Sequence, residues 1–590
     1  MKEKMERVVA EALEALGVEV GAVSIERPGN LSHGDYSTNA ALVYGKKTGV
    51  PARRGLSFKR SSQAMAGWSP RELAGQIVEK ILEIPSEDIK KIEVAGAGFI
   101  NFFIEDEAIR SENSKEKSSL ATKYGGMKII VEHSSPNLFK PFHIGHLMNN
   151  IIGEFVTRAT AIGGGTVTTI SFPSDVSLGI AKAVYILIED KKEGRDVFTL
   201  SDEEKIIAFG EAYRRGVAHF DEHPEEISKA KEIAKIVFDK NHLSEARSIF
   251  DKAKEINTAY FIKTIQELGS TINETIFESE AGVRGHEIVE GNTGDGKVFT
   301  KSEGAIVYTP DESRNNLHTQ VFINSEGHPT YEAKDLGLID LKFSKFSPDL
   351  SYFITDAEQA SHFRVVLDAA GKLGGEWPMR VEKSLHVPHG RMLFKGQKMS
   401  SRLGGVPLAL DVIAVVEEEV RERAGERTTH LSADEKKKLE REIALSALRI
   451  AVLRSKPGIN INFDPETSLS FEGDSGPYLL YTHARCASLL EKGREKGYES
   501  KFKDTPATDL ERALLQYELE LSGAIADLAP QKLVTYLFEI AQLFNGFYAE
   551  HQILTDDRET SEHYLAIVRR LKAVLKEGLW VLGISAPNKM

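Results

Sequence analysis

Apolar positions near the start of the chain recur at helical spacing. Val8, Val9, Leu13 and Leu16 stand three or four residues apart and predict an amphipathic helix. HGDYSTNAALV follows at 33–43. A second amphipathic stretch, RELAGQIVEKIL, begins after Pro70 and leads into AGAGFINFFI at 95–104, a strand entered through a glycine turn. Together these segments predict a small α/β unit of roughly 110 residues. Residues 112–120, ENSKEKSSL, form a polar linker.

The pattern then changes. Ile129, Ile130 and Val131 make a β-branched strand, followed by a Ser/Pro loop and a helix after Pro141. Further strand candidates are 166–172, 305–309, 319–323 and 350–355. Helical segments alternate with them, which predicts a parallel sheet. Residues 200–268 are helical in pattern and highly charged, a solvated insertion. From about 432 onward one amphipathic helix follows another, and a separate bundle is expected. No internal repeat is visible. The expected division is 1–112, 113–431 and 432–590.

Composition narrows the class. The 590 residues include 41% hydrophobic and 28% charged positions, the balance of a folded protein of three or four domains. The single cysteine, Cys486, rules out an internal disulfide or cysteine-cluster zinc site and fits a reducing compartment. No run of about 18 apolar residues occurs, and the charged, amphipathic start lacks an apolar signal core, so a cytoplasmic protein is expected. The net charge is −13: residues 1–120 carry −1, residues 441–590 carry −3, and −9 falls on the middle. An acidic total argues against a nucleic-acid partner only if the charge is spread evenly. Lys46, Lys47, Arg53, Arg54, Lys59 and Arg60 cluster with no acidic residue among them. That cluster is either a solvated loop or a phosphate-contacting patch.

The sharpest chemical signal is PFHIGHLMNN, which opens the helix after Pro141. A helix N-terminus offers free N–H groups and the positive end of a dipole, so it suits an anion. Gly145 clears space, and the imidazoles of His143 and His146 can donate to phosphate oxygens. An isolated H-x-G-H would more often be an ordinary loop and helix cap. Some 250 residues later comes GQKMSSRLGG, a cationic, hydroxyl-bearing loop bounded by glycines. Lys398, Met399, Ser400 and Ser401 could close over a triphosphate.

The pair HIGH and KMSS at this separation resembles the catalytic signature of class I aminoacyl-tRNA synthetases. SSPNLFKPFHIGH, with Lys140 before the first histidine, resembles the arginyl-tRNA synthetase form. So do YEAKDLGL, DAEQASHF, LSFEGDSGPYLLYTHAR and the ending LKEGLWVLGISAPNKM. The matching blocks run from about residue 30 to the C-terminus. The resemblance implies a Rossmann-like catalytic domain, an additional N-terminal α/β domain that contacts tRNA, and an all-α anticodon-binding bundle. It implies ATP-dependent ligation of L-arginine to arginine tRNA through an arginyl-adenylate, with magnesium carried by ATP and adenylation generally requiring bound tRNA. A monomer is the family expectation.

By the same resemblance, His143, Gly145, His146, Lys398, Met399, Ser400 and Ser401 bind ATP, and Lys140, His143, His146 and Lys398 stabilise charge on the reacting phosphate. Asp335 and Glu278 take the guanidinium fork, for which paired carboxylate acceptors are the natural match. Tyr331 lends a hydroxyl or ring face. Ser135, Asn137 and Gln359 hold the α-amino end. Without the motif, Asp335 would be a helix-surface carboxylate and Tyr331 a packing residue. Glu280 competes with Glu278 for its role. Glu132 is a candidate to orient a histidine of the HIGH segment. Of the C-terminal aromatics, most sit at core spacing. Tyr481 and Tyr548 are the candidates for stacking on anticodon bases.

Several positions depart from the family. Ser401 stands where a second lysine is usual and Met148 where an arginine is usual. PSDVSLG at 173–179 replaces a D-W-G-x-Q-F-G run, and 51–69 reads as an insertion. A different nucleotidylyl transferase would not need the helical C-terminal third. A non-catalytic paralogue would be expected to lose the histidines, Lys398 or Asp335.

Overall fold

A computed structural model describes the chain except residues 46–67, 85, 116–122, 239–241, 312–316, 395–407, 425–431 and 471–472. Its centre is a five-stranded parallel sheet in the order Ser384–His389, Leu350–Asp356, Lys128–Glu132, Thr166–Ser171, Glu274–Thr275. Numbered along the chain this is 5-4-1-2-3, the doubly wound Rossmann arrangement. It places a topological switch point between Lys128–Glu132 and Leu350–Asp356. Ile129, Ile130 and Val131 are all buried because helices cover both faces. On one face Ile129 and Val131 join the helix Ile144–Ile162 in the main core. On the other Ile130 meets Ile170, Ile276, Ala281 and Leu338.

Two of the expected parallel strands lie elsewhere. Ala305–Tyr308 and Gln320–Ile323 pair antiparallel, with Thr300–Ser302, in a separate three-stranded sheet. Its buried face packs on Leu336, Ile339, Val365 and Val366 of two helices. Their short apolar runs carry no sign of strand direction, so alternation with helices misplaced them. The true edge strands of the central sheet were passed over, one being only two residues long and the other broken by Pro388.

Two helices on that side meet backbone to backbone. A Cβ on Gly285 would lie 1.8 Å from the carbonyl oxygen of Ala333, and one on Gly337 would lie 2.0 Å from that of Ala281. Glu278–Gly291 and Tyr331–Phe346 are thereby drawn together, and Glu278 and Lys334 are brought into contact.

The charged segment 200–268 forms three helices, Asp202–Glu222, Ile227–Phe238 and Glu245–Glu267. They are more than a solvated insertion, since Phe209 and Phe250 are buried in the main core and Phe220 is buried as well. At the N-terminus, Tyr36–Thr38, Phe99–Ile104 and Ile89–Ala95 form an antiparallel sheet under helices Lys2–Ala15 and Pro70–Leu82. The turn into Phe99 uses Gly96 and Gly98 at φ 54 and 131, a backbone open mainly to glycine. This unit docks on the C-terminal helices. Leu515 enters its core, and the buried Asp35 accepts from Arg512 Nη1 (3.2 and 3.1 Å) and from the amide of Ile104 (2.7 Å). The C-terminal part is the expected run of helices, from Ala433–Leu453 to Arg558–Val581, sharing one continuous core with the sheet's outer face.

The close helix contact yields a test. Gly285→Ala should lower the urea midpoint by the equivalent of about 1–3 kcal/mol through overpacking. Gly291→Ala, at the end of the same helix with open space around it, should leave the midpoint nearly unchanged. Equal effects would contradict the close approach.

Candidate active site at the sheet switch point

The loop leaving Lys128–Glu132 turns through Ser134 and Phe139, both at positive φ (56° and 63°), and delivers His143 as the N-cap of Ile144–Ile162. The cap is built from imidazoles. His143 Nδ1 accepts from the amide of Gly145 (3.1 Å), and His146 Nδ1 accepts from the amide of His143 (3.2 Å). The two rings stack, with centroids 3.7 Å apart. Because each Nδ1 is an acceptor, each ring proton sits on Nε2 and is left as a donor. Gly145 has a local reason as well: a Cβ there would lie 2.9 Å from Cε1 of His143.

Burial, reinforced by Lys140, holds His143 below its ordinary pKa of 6.5. His146 lies well below it, pushed down by burial and then by His143, Lys140 and His389. Both rings are neutral donors at neutral pH, in a positive setting at a helix N-terminus. Lys140 also lies over the Tyr213 ring at 5.0 Å. Leu408 pairs with His143 across an isolated antiparallel bridge, and the amide of Ala409 donates to Phe142 O (2.9 Å). The segment that follows KMSS in the chain thus returns to the histidine loop. Lys398, Met399, Ser400 and Ser401 lie outside the described residues, as does the basic cluster at 46–60.

Ser174 links the histidine loop to the acidic side. Asn137 bridges to it, the amide of Leu138 donates to its carbonyl (3.0 Å), and its side chain bonds Glu278. Asp175 beside it is fully buried. It accepts from the amide and hydroxyl of Ser279 (2.9 and 2.7 Å) and from Lys254 (2.5 Å), so it caps the helix Glu278–Gly291. PSDVSLG therefore has a structural task despite its unusual sequence.

Glu278 is buried and its carboxylate meets Lys334 Nζ at 2.8 Å. Burial lifts its pKa while Lys334 opposes the rise. Glu280, the alternative, is at the surface with Lys345. Asp335 accepts from His362 Nε2 at 2.6 Å, and the other ring nitrogen of His362 is 3.4 Å from Glu332 Oε1. Tyr331 is 62% exposed at the start of its helix, with Lys334 Nζ 5.0 Å from its ring. Gln359 is exposed at the N-cap of Ala360–Gly371. Ser135 Oγ accepts from the amide of Phe172 (2.9 Å). The switch point thus brings neutral imidazole donors and a set of carboxylates to one edge of the sheet.

Glu132 does not orient a histidine. It forms a buried 2.6 Å ion pair with Lys342, on the sheet face away from the Ile144–Ile162 helix. Two residues escaped sequence reading. His389, at the end of Ser384–His389, is buried and acts electrostatically on His146. Asn149 donates to Ile354 O (2.5 Å) and accepts from the amide of Ser134 (2.6 Å), tying both switch-point strands to the helix. His389 sits in no motif, and Asn149, although within PFHIGHLMNN, has a role that only strand placement reveals.

In the helical part, Tyr478, Tyr517, Tyr536, Phe544 and Phe547 are buried. Tyr481 and Tyr548 are 38% and 39% exposed, and the Arg485 guanidinium lies 4.6 and 4.9 Å from their ring centres. Among the described residues no group of three or more His, Cys, Asp or Glu could hold a metal ion.

Residues 109–464 match the catalytic domain of class I tRNA synthetases (R). Residues 3–104 match the arginyl tRNA synthetase N terminal domain, and 479–590 the DALR anticodon binding domain. The arginine–tRNA ligase of Clostridium perfringens is 27% identical over 537 residues, covering 88% of this chain and 91% of its own. That of Thermococcus sibiricus is 27% identical over 657 aligned positions, covering 100% and 98%. The solved arginyl-tRNA synthetase of Thermus thermophilus shares the fold over the full length of both chains, with a TM-score of 0.81 at 22% identity.

The buried neutral histidines predict acid sensitivity. His133 is pushed down to about 4 by burial, and His386 to about 4 by burial and then by His389; His143 and His146 are also lowered. The unfolded chain takes up these protons near pH 6.5 and the folded chain does not, so stability is present above that value and lost as pH falls. The urea midpoint should drop between about pH 6.5 and about pH 5, before carboxylates dominate. A flat midpoint across that window would contradict the assignment.

Proposed function

We infer how this chain, which belongs to the class I arginyl-tRNA synthetase family, divides its reaction among the residues at the switch point. It ligates L-arginine to tRNA at the expense of ATP. The arginine carboxylate attacks the α-phosphate, giving arginyl-adenylate and pyrophosphate. The terminal ribose hydroxyl of tRNA then attacks the acyl carbonyl and AMP leaves. Neither step needs a protein nucleophile, so the side chains position reactants and stabilise developing charge.

The proposal gives His143 and His146 the phosphate, through two Nε2–H donors at a helix N-terminus, with Gly145 keeping that cap compact. Lys140 and Lys398 supply charge, and Met399, Ser400 and Ser401 complete the ATP contacts. The His143–His146 cap is the observation that carries this reading. Magnesium is proposed to travel with ATP.

For arginine, Asp335 is the proposed main guanidinium acceptor. Glu278 is a weaker one, because Lys334 already occupies it. Tyr331 covers the guanidinium, and Ser135, Asn137 and Gln359 take the α-amino end. The Tyr481–Arg485–Tyr548 stack is the proposed platform for anticodon bases. The proposed functional division is 1–112 for tRNA contact, 113–431 for catalysis and 432–590 for anticodon binding. The chain is proposed to act as a cytoplasmic monomer. Among the described residues no helix is long and apolar enough to cross a membrane.

ATP–pyrophosphate exchange with each amino acid, with and without tRNA, tests the reaction. Arginine should stimulate exchange when arginine tRNA is present, and failure there would sink the reading. Asp335→Asn should raise the KM for arginine roughly 10- to 100-fold and leave the KM for ATP nearly unchanged. Equal effects on both would remove Asp335 from the guanidinium site.

A further inference from the structure

Asp335 has a partner that the reading above does not use. Glu332 and Asp335 are three residues apart on the first turn of Tyr331–Phe346 and share a face. Both reach one imidazole, that of His362, in the first turn of Ala360–Gly371. Nε2 is 2.6 Å from Asp335 Oδ2 and Nδ1 is 3.4 Å from Glu332 Oε1. With one carboxylate hydrogen-bonded at Nε2 and a second within ion-pair distance of Nδ1, the ring is held as the imidazolium.

The surrounding charges leave a defined balance. Lys334 cancels Glu278. Asp356 and Glu358, at the start of the His362 segment, are tied to Arg391. His386 packs against the Phe363 ring (centroids 5.2 Å), and burial keeps it neutral. Asp335, Glu332 and the imidazolium between them carry by themselves one net negative charge, the complement of one guanidinium. Without the imidazolium the pair would repel each other, and Asp335 would lose the donor that fixes its rotamer.

We propose that His362 is a positioning and specificity-determining residue for arginine, clamped by Glu332 and holding Asp335 with its remaining lone pairs free for the guanidinium. This rests on Asp335 being the guanidinium acceptor. Burial opposes the charge on His362, but hydrogen bonds to Asp335 and Glu332 overcome it and push the ring up to about 10. The clamp is therefore intact throughout the neutral range and opens only as pH rises toward that value.

The test uses the full-length enzyme in tRNA charging. His362→Ala should raise the KM for arginine roughly 10- to 100-fold at about pH 7, with the KM for ATP within about twofold. His362→Gln keeps one donor toward Asp335 and should recover most of that loss. Glu332→Gln should bring the alkaline rise in arginine KM to lower pH than in the parent enzyme. The α-amino group of arginine titrates alike in both, so the difference between them isolates the protein group. If His362→Ala alters both KM values equally or neither, or if Glu332→Gln leaves the alkaline limb in place, the proposal is overturned. If His362→Ala does not fold, the Gln variants decide. Asp335→Asn without effect on arginine would instead overturn the underlying assignment of Asp335, so the two failures are distinguishable.

Discussion

Asn149 joins the pieces on which the chemistry depends. A parallel sheet buried on both faces sends its chain back through helices, so irregular loops collect beyond the strands' carboxyl ends. Where the winding reverses, the first and fourth strands diverge and a helix must be held across the gap. Asn149 does this by accepting from Ser134 on one side and donating to Ile354 on the other. The His143–His146 cap is one turn from that tether, and Asp356 with the Gln359–His362 segment follows directly from Ile354. Loops alone would not hold two reactant sites in register.

Histidine appears in opposite states on the two sides of this edge. His143 and His146 are neutral, because burial and neighbouring cations penalise a charge. Their Nδ1 atoms are spent on the helix cap, and this leaves two Nε2–H donors at the helix N-terminus. His362 is half-buried, and two carboxylates make it a cation. Neutral donors suit a leaving group already rich in charge and a nearby lysine. A fixed cation beside Asp335 trims an acidic pocket to the charge of one arginine side chain.

The net charge of −13 acquires a geometry here. The two ends of the chain, close to neutral, are docked on each other through Asp35, Arg512 and Asp106, and the C-terminal helices also share the core of the central sheet's outer face. Most of the excess acid stays with the domain that binds a cationic amino acid. An acidic protein of this layout meets RNA through local faces, an interaction that salt weakens strongly.

The primary sequence by itself determined the helical C-terminal third, the N-terminal α/β unit and the strand before the histidine loop. These rest on local periodicity and turn chemistry, which each segment carries in its own side chains. It also singled out His143 and His146, through the pairing of HIGH with KMSS and not through the local arrangement alone. The tertiary structure decided what depends on meetings between distant segments. It moved Ala305–Tyr308 and Gln320–Ile323 out of the central sheet, since a short apolar run does not encode its partner. It paired Glu132 with Lys342 and Glu278 with Lys334, since which charges neutralise one another depends on helix packing through Gly285 and Gly337. His362, 27 residues beyond Asp335, belongs to the family-like block DAEQASHF, but the block does not tell which charges its ring meets. Only the fold gives its ring two carboxylates and with them its charge.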